Sequence, residues 1–156
     1  MSQPASDERA LLIRTIRAQL GVLRELEAAP LLAEKVLPHA EALAEQFGAS
    51  LVLLRVTAPP AEPMGALDAE RREADRYLAG LYDRLSAKGL RVHYERPEGP
   101  PAALIVEHAR NQDADLIALT SHGRSSRRAP ACGRVAEAVI HCAPSPVLLV
   151  RVTAPM

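Results

Sequence analysis

The chain has 156 residues, 48% of them hydrophobic, and its nineteen basic residues balance nineteen acidic ones. That length suits one domain burying roughly 70% of its unfolded surface, and the neutral balance creates no global field toward nucleic acid or an anionic membrane. With no Trp, one Phe and three Tyr, the core must be aliphatic, and stacking platforms for single-stranded nucleic acid are lacking.

Residues 1–29 are the least regular part. Ser6 suits a helix N-cap, with Asp7 and Glu8 in the first turn. Ile13, Ile16, Leu20 and Leu23 then step at helical spacing. A strand at Leu11–Ile16 or Val22–Leu26 would instead bring Arg14, or Arg24 and Glu25, into the sheet, where an unpaired charge is costly to bury. The expectation is a divergent helical segment, with the usual first strand of an α/β sheet missing or displaced.

Leu32, Val36, Ala40, Leu43, Ala44 and Phe47 predict a helix over Leu32–Phe47, closed by Gly48, with Pro38 marking a kink or a late start. The apolar run 51–56 is a buried strand. Ala74, Tyr77, Leu78, Leu81 and Leu85 share one face of a helix over Leu67–Ala87. A strand at 90–95 follows, then a helix over Ala102–Arg110 opened by Pro100 and Pro101. Residues 114–120 are a strand, Val135–Cys142 a helix, and 147–152 a last strand. Alternating strands and helices, most strands near-continuously apolar, predict a single-domain α/β fold with a doubly wound, mainly parallel sheet.

The N-terminus lacks the basic-then-apolar layout of a signal peptide, and no apolar stretch is long enough to span a bilayer. A cytoplasmic protein without membrane or nucleic-acid partners is expected. Cys132 and Cys142 lie ten apart, about 15 Å along one helix, too far for a disulfide. Both are expected as buried small hydrophobes. The histidines show no metal-ligand spacing, and no metal is expected.

In an open parallel sheet, ligands bind beyond the carboxyl ends of the strands. The loop from Thr120 to Arg134 occupies such a junction. Gly123 and Gly133 permit positive φ and close backbone approach. Ser121, Ser125 and Ser126 offer hydroxyls, and Arg124, Arg127, Arg128 and Arg134 concentrate cations in an otherwise neutral chain. The helix N-terminus that follows adds its dipole and free N–H groups. A phosphate or other anion site competes here with a solvated basic loop. Neither a Walker A nor a G-x-G-x-x-G fingerprint is present.

Three blocks, LAEKVLPHAEALAEQFGASLVLLRV (32–56), ADLIALTSHGR (114–124) and GRVAEAVIHCAPSPVLLV (133–150), resemble the universal stress protein (UspA-like) family. The resemblance runs from Leu31 to Val152 and assigns residues 30–153 to that domain. It implies a Rossmann-like, adenine nucleotide alpha hydrolase-like fold with strand order 3-2-1-4-5, and often a dimer. Nucleotide-binding members carry G-x-x-G, nine residues, then Gly and Ser or Thr. Thr120, Gly123, Gly133 and Arg134 stand at those positions here, so two of the four markers are kept. Arg134 either pairs with phosphate in place of the hydroxyl or fills the pocket itself. The Asp-Gly-Ser that closes the family's first strand aligns with Ala28, Ala29 and Pro30 and brings no carboxylate. The implied nucleotide site, for ATP or AMP, is Val56, Thr120, His122, Gly123, Arg124, Ser125, Ser126, Gly133 and Arg134.

The leading function is a regulatory, stress-response protein that works by binding. A protein-interaction module with a closed pocket is the alternative, and a slow nucleotide phosphohydrolase a third. For the enzyme, Asp113 and Asp115 stand at the wrong end of their strand and His122 is alone, so no catalytic residue is assigned. The bare apolar strand 147–152 is expected at a sheet edge, where it would pair with a second copy.

Overall fold

The structure, a computed structural model, describes residues 15–23, 34–57, 64–121 and 133–151. Among them, five parallel strands form one sheet. These are β1 (Thr15–Leu23), β2 (Ser50–Thr57), β3 (Arg91–Glu95), β4 (Leu116–Thr120) and β5 (Val147–Val150). Their spatial order is β3-β2-β1-β4-β5. Helices α1 (Leu37–Phe47), α2 (Met64–Ser86), α3 (Pro101–Asn111) and α4 (Arg134–Cys142) make the crossovers, and a 3-10 turn, Glu34–Val36, leads into α1.

The apolar runs have a simple cause, since their strands are covered on both faces. Leu51 and Leu53 of β2 and Leu116 and Ala118 of β4 pack with Val36, Leu37, Ala40 and Ala44 around α1 and with Leu78, Leu81 and Leu85 of α2. Their neighbours Leu54, Val56, Ile117 and Leu119 turn to the other side, against Ile105 and Ala109 of α3 and Ala136 and Val139 of α4. Successive side chains of a strand alternate faces, and here each face meets a helix layer. The last strand serves both layers, with Leu148 and Val150 on the first core and Val147 and Leu149 on the second.

Local signals set the helix ends. Pro38 sits in the first turn of α1 and marks its late start, because its missing N–H is unneeded there. Gly48 closes α1 in the left-handed region (φ 63°), its amide bonded to the Ala44 carbonyl. Pro101 likewise opens α3. Two apparent core residues are exposed: Phe47 and Ile140 stand 37% and 45% exposed. Cys142, expected to be buried, is exposed at the end of α4, while Cys132 lies outside the described residues.

The expectation of a helical N-terminal segment with a missing first strand is wrong for residues 15–23. They form the central strand, with Ile16–Ala18 paired to Leu51–Leu53 on one side and to Leu116–Ala118 on the other. The register slips between Gln19 and Val22, where Leu20 and Gly21 lie opposite Arg55 alone, as in a bulge. Pairing resumes at Val22–Val56 and Leu23–Thr57. The charges held to forbid a strand, Arg14, Arg24 and Glu25, fall just outside its ends. Ladder hydrogen bonding on both sides therefore outweighs the helical spacing of the apolar residues.

A polar tie joins the turn before α1 to α2. The Tyr77 hydroxyl donates to Glu34 Oε1 at 2.9 Å, and Glu34 Oε2 accepts from Arg84 at 3.2 Å. Beneath it the Arg55 guanidinium, buried on β2, lies 4.8 Å from the Tyr77 ring centroid. Burial, then the bond to Glu34 and its charge, push the Tyr77 phenol well above the usual tyrosine range. The folded state thus favours the neutral phenol, so this stabilisation is full below a pH of about 10 and is lost as pH rises through the higher folded value.

Two outcomes follow. Ile117→Ala, at a fully buried position, should cost about 2–5 kcal/mol in chemical denaturation. Tyr77→Phe should cost about 1 kcal/mol at neutral pH, remove the last step of the phenolate absorbance titration, and flatten the alkaline fall in stability.

Candidate functional site

All five carboxyl ends gather on one edge of the sheet, and the chain order reverses between β1 and β4. The crevice for a ligand lies outside that pair. Thr120 ends β4 at 8% exposure, and Ser121 after it is fully buried. The Ser121 amide donates to the Val150 carbonyl at 2.8 Å, while its own carbonyl accepts from the Gly133 amide at 2.7 Å. That second bond closes residues 122–132 into a loop whose ends meet beside the crevice.

Gly133 is also the N-cap of α4, and its carbonyl accepts the first helical bond, from the Glu137 amide at 2.9 Å. Gly133 has no side chain to cap this end, and none among the described residues does so. The first-turn amides, which lack partners within a helix, and the positive end of the dipole therefore stand where the closed loop begins and ends. Gly133 takes φ −73° and ψ 158°, extended backbone open to any residue. Its positive-φ freedom is not used, so any advantage of glycine there lies in close approach.

Arg134 is exposed at the first position of α4. An exposed side chain does not suit the second of its two expected roles, filling the pocket. Thr120, Gly133 and Arg134 are thus brought to one junction. His122, Gly123, Arg124, Ser125 and Ser126 fall within that loop but outside the described residues, as do Ala28, Ala29 and Pro30.

Val56 sits on the same sheet edge, its side chain fully buried. Its neighbour Thr57 donates its amide to the Pro97 carbonyl and accepts from the Gly99 amide, both at 3.0 Å, so the Thr57 backbone faces away from β1. Adjacent residues of a strand direct their backbone groups to opposite sides. Those of Val56 therefore face β1, where Val22 stands in register. Any contact from Val56 to a ligand must come from a backbone edge that β1 already meets.

A charged cluster on the same edge has no counterpart in the motifs read from sequence. Arg96 Nε pairs with Asp75 Oδ1 at 2.7 Å, and its Nη1 reaches Glu98 Oε1 at 3.0 Å and Thr57 Oγ1 at 3.5 Å. Arg71 grips both oxygens of Glu98, at 2.7 and 2.8 Å. The hydrogen bonds from Arg71 and Arg96 hold the Glu98 carboxyl below the usual range, and the bond to Asp75 raises the Arg96 guanidinium. The available signal was the charged turn Arg96-Pro97-Glu98-Gly99.

Asp113 and Asp115 precede β4, at the end of the strand away from the loop. Among the described residues, no three His, Cys, Asp or Glu side chains gather as a metal would need. No described helix is long and apolar enough to cross a membrane.

Comparison with known proteins agrees with this geometry. Universal stress protein MJ0531 of Methanocaldococcus jannaschii is 34% identical over 121 residues, covering 72% of this chain and 71% of its own. Universal stress protein UspA from Lactobacillus plantarum superimposes with a TM-score of 0.74 at 23% identity, over 89% of this chain and 98% of that one. The universal stress protein from Archaeoglobus fulgidus, solved in complex with dAMP, gives 0.64 at 20% identity, over 88% and 97%. These two structural likenesses speak to the fold alone. The universal stress protein family itself matches residues 30–151, and with that match and the Methanocaldococcus relative, the chain belongs to the universal stress protein family.

Proposed function

We propose that this chain works by binding an adenine nucleotide, AMP or ATP, with the phosphates held by the 120–134 loop and the first turn of α4. The observation that carries the reading is the Gly133–Ser121 bond, which brings the loop's two ends together at an uncapped helix N-terminus. Oriented amides and a helix dipole favour an anion there, and Arg134 stands free to pair with it. The dAMP complex of a similarly folded protein supports the choice of nucleotide. Binding then supports a regulatory role in the cytoplasm, without a catalytic group of the chain's own.

One observation favours a second reading, an interaction module with a closed nucleoside pocket. β1 runs as far as Val22 and Leu23 and meets the backbone edge of Val56, where a base would otherwise dock.

A homodimer through β5 belongs to either reading. The two sheet edges differ in kind. β3 exposes Arg91 and His93, and the arginine's charge discourages pairing with another chain. Along β5, Val147, Leu148, Leu149 and Val150 are all half-buried and apolar, so a second copy would complete both their ladder and their packing.

Calorimetric titration with AMP and ATP tests the nucleotide reading, which expects saturable heat. Arg134→Ala should weaken ATP by about tenfold or more, the loss of a charged hydrogen bond. Gly133→Val should abolish binding while the protein stays folded, because its backbone suits any residue. No heat with wild type would leave the interaction module. Sedimentation velocity across micromolar concentrations should show a dimer, and a monomer throughout would sink the β5 interface.

A further inference from the structure

The cluster around Arg96 joins segments that are distant in sequence. It gathers three separate pieces of the ligand-side edge: the last residue of β2, the connection from β3 to α3, and α2. Thr57 is the joint. Its amide and carbonyl bond to Pro97 and Gly99 in a short parallel bridge beyond the end of β3, and its hydroxyl meets Arg96. Gly99 takes φ 142°, and a Cβ there would stand 3.1 Å from Leu104 Cδ1, so this turn favours glycine on both counts. Arg96 then fastens the turn to Asp75 of α2 and to Glu98, and Arg71 fastens Glu98 a second time.

Strands in a sheet lie about 4.8 Å apart, so β2 is two spacings, about 9.6 Å, from β4. An extended nucleotide whose phosphate rests at the β4–α4 junction therefore reaches across β1 and ends its base near Val56 and Thr57. The geometry points to Arg96 as a positioning residue for the base end of that nucleotide. It touches no phosphate site, and acts by holding Thr57 and the 97–99 turn as one fixed wall. This rests on the nucleotide reading above and deepens it, since it assigns base-end affinity to a salt-bridge cluster at the end of β2, two strands from the β4–α4 junction. The cluster spans five charged side chains from α2 and the turn, Asp68, Arg71, Asp75, Arg96 and Glu98. Each partner is partly open to water, so high salt should loosen it.

The test uses full-length protein and two ligands, AMP and inorganic pyrophosphate, titrated against wild type, Arg96→Gln and Arg96→Lys. Arg96→Gln is expected to weaken AMP by about tenfold and to leave pyrophosphate within about twofold. Arg96→Lys, which keeps a cation for Asp75, should recover part of the AMP affinity. Hydrogen exchange without ligand should show the Thr57 and Gly99 amides exchanging about tenfold faster in Arg96→Gln. Unchanged AMP affinity in Arg96→Gln would overturn the inference while leaving the nucleotide reading intact. An equal fall for both ligands, or unchanged exchange at Thr57 and Gly99, would overturn it as well. Wild type that binds neither ligand would remove the nucleotide reading and this inference together.

Discussion

The structure depends on one pairing, the insertion of β1 between β2 and β4 with all three strands parallel. Parallel neighbours cannot be joined by a hairpin, so each connection must cross a face of the sheet as a helix. Those crossovers bury both faces, which is why β2 and β4 have almost nothing but aliphatic side chains. They also place every carboxyl end on the same edge. β1 sends its chain toward β2 and β4 sends its chain toward β5, and the divergence opens the crevice between them. A site at the loop after β4 is thus a consequence of topology before any particular residue is considered.

Residue chemistry then decides what the crevice prefers. The chain as a whole is neutral, so attraction for an anion has to be local. On the proposed reading it comes from the peptide dipoles of α4 and from the first-turn amides after Gly133, with Arg134 beside them. Ser121 links these pieces. Its amide is tied to β5 and its carbonyl to Gly133, so one buried residue fixes β4, β5 and α4 relative to each other. On the far side of the crevice, Thr57 performs the corresponding task for β2, the turn after β3 and α2. The ligand-side edge is consequently held at two points, two strands apart.

Much of this was legible in the sequence. The runs at 51–56, 114–120 and 147–150 are apolar because their strands are covered, and Pro38, Gly48 and Pro101 punctuate the helices where their backbone chemistry allows. β1 was misread for a physical reason. Ile13, Ile16, Leu20 and Leu23 fit a helical step, yet Ile16 and Ala18 also alternate with Arg17 and Gln19 as far as the register shift that follows. The second pattern, with period two, was the correct one. Glycine at the bulge and polar residues along the strand hid it, and nothing local announces a partner strand thirty-five residues on. The junction of Thr120, Gly133 and Arg134 was visible through the spacing of the family's motif. The Thr57–Arg96 clip was not, because its members come from α2, β2 and a turn, and only tertiary structure brings them together.

Two physical tendencies meet at Val56. The proposed reading sets an anion at the N-terminus of α4, while the extended end of β1 occupies the strand edge that a base would approach. The measurement that weighs them most directly is native mass spectrometry of the protein purified without added ligand. The account predicts a species carrying the mass of AMP or ATP, at one nucleotide per chain. A protein free of nucleotide, and still free of it after incubation with millimolar ATP, would contradict it.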